Sequence, residues 1–189
     1  MKASPWLYLT ALLWLCLPAF AAGKYREIDW LDLLTDNDRQ AMLNLPDIQH
    51  NSPERRPDAR QNRTDQFTQT IKNKAVRERW EAVLSASTVR KELDGVKIRL
   101  AGYIVPLESN AAGELSEFFF APYLGACIHV PPPPPNQLIL VHLAKPIKFA
   151  PQDIYDAFWI EGTLHTETAH NSLASSAYSL SADGVRRYQ

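Results

Sequence analysis

A run of five prolines, Pro131 to Pro135, constrains this chain more than any other feature of its sequence. Each proline ring fixes φ near about −65° and removes a backbone N–H donor, so the run can adopt little other than polyproline II. Shortly before the run lie Cys127 and His129, two side chains able to bind a soft metal ion. The chain therefore stiffens its backbone beside a thiol, which makes this stretch the first candidate for a functional site.

The proline run has two interpretations. It could be a rigid strap that covers the protein's own aromatic side chains, such as those of Phe118 to Phe120. Alternatively, it could be a ligand for an aromatic-lined groove on a partner protein. The apolar residues on both sides of the run imply burial and favour the strap, because segments offered to partners are usually exposed.

The N-terminus predicts a cleaved secretory signal over residues 1–21. Lys2 gives a positive start, and the apolar run from Trp6 to Leu17 precedes a small-x-small cleavage signature. That run of about 12 residues is shorter than the ~20 needed to span a bilayer. We therefore expect a periplasmic protein with no transmembrane span after cleavage. Loss of Cys16 leaves Cys127 as the only mature cysteine, so no internal disulfide is possible.

Length and charge limit the remaining possibilities. The chain has 189 residues, which suits one domain with an N-terminal extension. Its net charge of −1 gives no electrostatic case for nucleic acid as a partner. Composition divides the mature chain into residues 22–65, a short helical segment and a polar linker, and residues 66–189, a helix followed by a β domain.

Apolar spacing predicts three helical segments before the β domain. Ile28, Leu31 and Leu34 recur every three residues and indicate a short amphipathic docking segment. Cap residues from Thr35 onward predict a second helix that stops before Pro46. A longer helix is predicted from about Phe67 to Ser85.

Beyond Asp94-Gly95 the apolar period changes to about 2, which is typical of strands. Gly102 and Gly162 fall in the middle of strands, where a glycine relieves crowding as the strand bends. We therefore predict an α+β fold, a small OB-like antiparallel β-barrel of about five strands preceded by N-terminal helices. A flat antiparallel sheet packed on the helix is the alternative. The predicted strands are 96–107, 116–121, 137–143, 156–166 and 176–181, with a turn at 183–184.

Cys127 and His129 are the first candidate metal ligands. Residues i and i+2 of an extended segment point to the same side, so both side chains could reach one ion. A thiolate with an imidazole suits zinc or copper, and His142 and His165 are possible further ligands. Two other interpretations are a buried cysteine beside a histidine bonded to the backbone, and a Cys–His nucleophilic pair. We expect a protein that is not an enzyme.

Two motifs resemble an exported bacterial family catalogued as domain of unknown function 3299. They are the segment from Gly102 to Glu108 and the segment from Gly125 to Gln137, and the resemblance extends from about Trp30 to the C-terminus. The family has no established activity. Some of its members lie near metal-uptake transport systems, so the resemblance implies a periplasmic or membrane transport component as a partner and zinc as a ligand.

Overall fold

A computed structural model describes residues 24–46, 71–126, 132–171 and 173–188. The predicted signal peptide, most of the predicted linker, the predicted helix start at Phe67, and Cys127 and His129 lie outside these described residues. Within them, none of the helices has the length and apolar character required to cross a membrane.

The described part contains two α-helices, four short 3-10 helices and eight strands. The α-helices are α1 (Asp36–Leu43) and α2 (Lys74–Leu84), and the 3-10 helices cover Trp30–Leu33, Lys91–Leu93, Pro135–Gln137 and Pro151–Tyr155. The strands are β1 (Arg26–Glu27), β2 (Lys97–Pro106), β3 (Glu114–Ala121), β4 (Ile139–Lys148), β5 (Ala157–His165), β6 (Ala169–His170), β7 (Ser175–Ser176) and β8 (Tyr178–Arg187).

Five strands close into a barrel in the order β2-β3-β4-β8-β5, with β5 pairing back onto β2. The five-stranded barrel predicted from the sequence is confirmed, and it is mixed rather than wholly antiparallel. Strands β4 and β8 run parallel, whereas the other neighbours in the ring are antiparallel. An odd number of strands cannot alternate in direction around a closed ring, so one pair must be parallel. This Greek-key arrangement is the one found in OB barrels.

Alternate residues of the five strands fill the barrel interior, as the period of 2 requires. Each inward side chain removes its apolar area from water and stabilises the fold by about 1.5–3 kcal/mol. The innermost side chains are all at most 2% exposed and are those of Ile98, Leu100, Ile104, Phe118, Phe120, Ile139, Val141, Ile160, Leu164, Tyr178 and Leu180.

Gly102 and Gly162 lie where the barrel leaves no room for a side chain, as predicted. A Cβ atom on Gly102 would lie 2.7 Å from the carbonyl oxygen of Ala121 and 2.8 Å from a ring carbon of Trp30. A Cβ atom on Gly162 would collide with the carbonyl oxygen of Ser181. The register between β5 and β8 shifts at Gly162, so this glycine marks a bulge.

The N-terminal segment docks on the barrel, but its buried side follows the three-residue spacing only in part: Ile28 and Leu34 are buried, whereas Leu31 is 37% exposed. The backbone N–H of Ile28 donates to the carbonyl oxygen of Arg99 at 3.1 Å, and Trp30 Nε1 donates to that of Ala101 at 2.7 Å. Leu33 and Leu34 are at most 1% exposed. The segment thus covers the edge of β2 at Arg99 and Ala101 that faces away from β5, because the pairing of β2 with β3 begins only at Tyr103.

Two element boundaries differ from the sequence prediction. Within the described residues α2 begins only at Lys74, because the side chain of Asn73 caps it by accepting from the Val76 N–H. Strand β8 continues through the predicted turn at 183–184, since Gly184 pairs with Glu161 across the sheet. The pairing to β5 therefore prevails over the local turn preference of Asp-Gly.

Candidate functional site

A second apolar cluster lies on the outer face of β2, β3 and β4. Phe119 and Leu140 face each other across β3 and β4, and they are 0% and 9% exposed. In OB barrels the corresponding face binds ligands. Here it is covered by the protein's own residues, which include Ala126, Leu138, Ala169 and Ala174. Ala126 is fully buried and directly precedes Cys127.

The described end of the proline run is packed inside the protein. Pro133 and Pro134 are buried, and the carbonyl oxygen of Pro135 accepts a hydrogen bond from the Ala177 N–H at 2.8 Å. Gln137 is 4% exposed and its Nε2 donates to the carbonyl oxygen of Trp30 at 2.6 Å. These contacts support the strap interpretation, because buried prolines are not available to a partner's groove.

His142, a predicted metal ligand, lies on the outer face of β4. It pairs in register with Glu117 of β3, and its Nδ1 is 3.0 Å from Glu117 Oε2. The side chain is about half exposed. A histidine held by a carboxylate through Nδ1 keeps Nε2 available as a ligand atom.

His165, the other predicted ligand, lies on β5 and is separated from β4 by β8. Its Nδ1 is 3.9 Å from Asp94 Oδ1, which is too long for a hydrogen bond. Among the described ranges, no group of three or more His, Cys, Asp or Glu side chains is close enough to hold a metal ion. The structure therefore does not unite His142 with His165, and a site at Cys127 and His129 remains a prediction.

An apolar groove of about 250 Å³ was not anticipated from the sequence. It lies between the outer face of β2, the turn before Cys127 and the 3-10 helix Pro151–Tyr155. Tyr155 and Leu124 at its rim are 64% and 45% exposed. The only sequence signal was an apolar Ile154-Tyr155 pair before a predicted strand, and nothing local connects that pair to β2. The groove is lined by Tyr103, Ile104, Val105, Leu124, Gly125, Ala126, Ile154 and Tyr155.

The family profile described as "Protein of unknown function (DUF3299)" matches residues 30–187. The chain belongs to the DUF3299 family. A crystal structure of a DUF3299 family protein from Pseudomonas aeruginosa PAO1 is similar to it at 34% sequence identity, with a TM-score of 0.59. The alignment covers 87% of this chain and 97% of that one. No curated protein matches this DUF3299 chain, so the comparisons assign a family without assigning a function.

Proposed function

We propose that this DUF3299 protein is an exported, periplasmic accessory protein without enzymatic activity that binds a transition metal, with zinc as the first candidate. Cys127 and His129 are the proposed first ligands, because thiolate and imidazole are the donors that zinc prefers. Ala126, fixed in the outer-face cluster, anchors the chain one residue before Cys127. Because Ala126 packs in one cluster with Leu140 of β4, we expect the proposed ligands that follow it to lie near this strand.

The 3.0 Å contact between His142 and Glu117 is the observation that carries the proposal. A metal-binding histidine commonly donates its second ring N–H to a carboxylate, which fixes the ring and strengthens the ligand. His142 has this arrangement, with its Nδ1 beside the carboxylate of Glu117. It also lies on the same face as the cluster that contains Ala126, which makes it the preferred third ligand.

The distances along the barrel favour His142 over His165. His142 is two residues from Leu140 on the same strand, a separation of about 7 Å, and Leu140 belongs to the cluster that contains Ala126. His165 is two strands from Leu140 through Ser179, a separation of about 10 Å. We therefore expect His165 to stay outside the first set of ligands.

If the protein binds zinc, its expected partner is a component of a metal-uptake system. The sequence resembles a family in which some members lie near metal-uptake transport systems, so the proposed partner is a periplasmic or membrane transport component. The role would be to hold or transfer zinc rather than to catalyse a reaction with it.

The decisive experiment measures the metal content of the mature chain, purified without a His-tag, by mass spectrometry. We expect close to one zinc per chain in the wild type and in His165→Ala, and none in Cys127→Ser. His142→Ala should bind zinc at least about tenfold more weakly. Circular dichroism of each variant confirms the fold. A wild type that is metal-free and takes up no zinc or copper on titration contradicts the proposal.

The alternative function is a protein-interaction module, and the apolar groove is the observation that favours it. Two aromatic rings, Tyr103 and Tyr155, line a concave surface whose rim is exposed. Exposed apolar surface of this kind is typical of binding sites for other proteins. Because Pro133 and Pro134 are buried, we expect a protein partner to bind the barrel face and not the proline run.

A pull-down with the purified candidate transport component tests the alternative. If the groove is the contact, Tyr155→Ala should weaken capture, while Tyr188→Ala should leave it unchanged, because Tyr188 is also more than half exposed but lies outside the groove. Capture in the presence and absence of a chelator separates the two functions, because only the metal proposal requires zinc. Equal capture by Tyr155→Ala and wild type would argue against the groove.

A further inference from the structure

A cleft of about 260 Å³ lies between α1 and α2. No residue of α1 is buried, so the apolar side of this helix faces the cleft without being covered by the described part of the chain. Helices that pack directly approach to about 8–10 Å and interlock their side chains. The two helices come this close over part of their length, and beside that contact they leave open space between apolar walls formed by Leu34, Ala41, Met42, Ala82, Val83 and Ala86.

The contacts at the two ends of the cleft show that α1 and α2 run antiparallel. At one end, Asn136 donates through its backbone N–H to the carbonyl oxygen of Ala86, and through Nδ2 to Asp38 Oδ2 at 3.1 Å. At the other end, the guanidinium of Arg79 donates to the carbonyl oxygen of Asn44. The start of α1 therefore lies beside the end of α2.

At one end of the cleft lies the carboxylate of Asp38, which has no cationic partner among the described residues. The carboxylate of Asp38 is half-buried, and it accepts from the Thr35 hydroxyl and from Asn136. It forms no ion pair with any residue that the structure describes. Asn136 is 0% exposed, and its Oδ1 has no hydrogen-bond partner. The carboxylate of Asp38 is the accessible charge at this end of the cleft, and it has only neutral donors, so this end favours a cationic ligand.

The Arg79 end has the opposite charge. Six residues separate Asp38 from Asn44 along α1, which corresponds to about 9 Å between the two ends of the cleft. A guanidinium has five N–H donors, and the described bond to Asn44 uses one of its nitrogens. This end therefore favours an anionic acceptor.

We propose that the cleft between α1 and α2 binds a small ω-amino carboxylate, an extended alkyl chain with an ammonium at one end and a carboxylate at the other. The ammonium pairs with Asp38 beside Asn136, and the carboxylate pairs with Arg79. The methylene groups lie between Met42 and Val83 on the apolar walls. The charge order and the length of the cleft select this ligand over an α-amino acid, whose two charges are too close together to reach both ends.

Isothermal titration of the mature chain with 6-aminohexanoate tests the proposal. We expect saturable binding of one molecule per chain. Hexylamine, which lacks the carboxylate, should bind about tenfold more weakly, and hexanoate should not bind detectably because it lacks the cation. Absence of saturable binding by 6-aminohexanoate overturns the proposal, and so does equal affinity for hexylamine.

Three variants locate the site. Ala82→Leu places a larger side chain in the cleft from an exposed helix position and should abolish binding. Ala75→Leu makes the same change on α2 outside the cleft and should bind like the wild type. Asp38→Asn should lower the affinity at least about tenfold. Thermal melting confirms that each variant is folded, and equal binding by the two leucine variants contradicts the proposed location.

Discussion

The hydroxyl of Tyr178 donates a hydrogen bond to the carbonyl oxygen of Leu33 at 2.8 Å, across 145 positions of sequence. The phenolic oxygen of Tyr178 in turn accepts a hydrogen bond from the backbone N–H of Arg90 at 2.7 Å. Tyr178 begins β8 and is 0% exposed. One buried phenol thus joins the barrel to the N-terminal segment and to the connection that follows α2.

Tyr178→Phe should lower the free energy of unfolding by about 1–3 kcal/mol. The ring still fills the core, but the Arg90 N–H and the Leu33 carbonyl lose their partner, and an unsatisfied buried group costs that amount. Urea denaturation followed by circular dichroism measures the change. Tyr188→Phe serves as the control, because Tyr188 is exposed and stacks on Trp159 through its ring alone. Equal losses in both variants would contradict this account.

Gly162→Ala should destabilise the barrel by about 1–3 kcal/mol, the usual cost of overpacking. The new methyl group would collide with the carbonyl oxygen of Ser181 and lie 2.8 Å from Leu180 Cδ2, and backbone cannot move aside cheaply. Gly184→Ala, on the neighbouring strand, meets nothing within 4 Å and should be neutral or slightly stabilising. Thermal melting of the two variants under the same conditions compares them directly.

The barrel could be predicted because the sequence patterns that indicate it lie within single strands. The period of 2 and the mid-strand positions of Gly102 and Gly162 are visible in the sequence, and both were confirmed. Closing five strands requires a parallel pair, but the strand patterns alone do not show that this pair is β4 and β8, which are remote in sequence. The continuation of β8 past Gly184 likewise depends on a partner more than 20 residues away.

The candidate sites were less predictable than the fold. The sequence identified His142, but its partner Glu117 becomes visible only when β3 pairs with β4. The cleft beside Asp38 was missed altogether, because its walls come from α1 and α2 and one of its ends from Asn136, which are remote in sequence. Each side chain is unremarkable alone, and only the tertiary arrangement leaves Asn136 Oδ1 without a donor.

Asp153 should make the stability of the protein depend on pH in the acid range. The backbone N–H of Ala150 donates to Asp153 Oδ2 at 2.8 Å and, together with the ion pair to Arg187, holds the pKa of this carboxyl below its usual 3.8. As the pH falls, the unfolded chain therefore takes up this proton before the folded one does. The stabilising contribution of Asp153 is present above about pH 4 and is lost as the pH falls toward its lowered pKa.

Asp153→Asn should therefore be less stable than the wild type at pH 7, and the difference should shrink as the pH is lowered below about 4. Urea midpoints at several pH values measure it, and Glu108→Gln, a change at an exposed carboxyl, is the control. Arg187 keeps Asp156 as a second partner in the variant, and the new amide oxygen can still accept from the Ala150 N–H, so the lost stability comes from the charge that strengthened both contacts of Asp153. A gap between the two proteins that stays constant from pH 7 to pH 3 would contradict the lowered pKa as its cause.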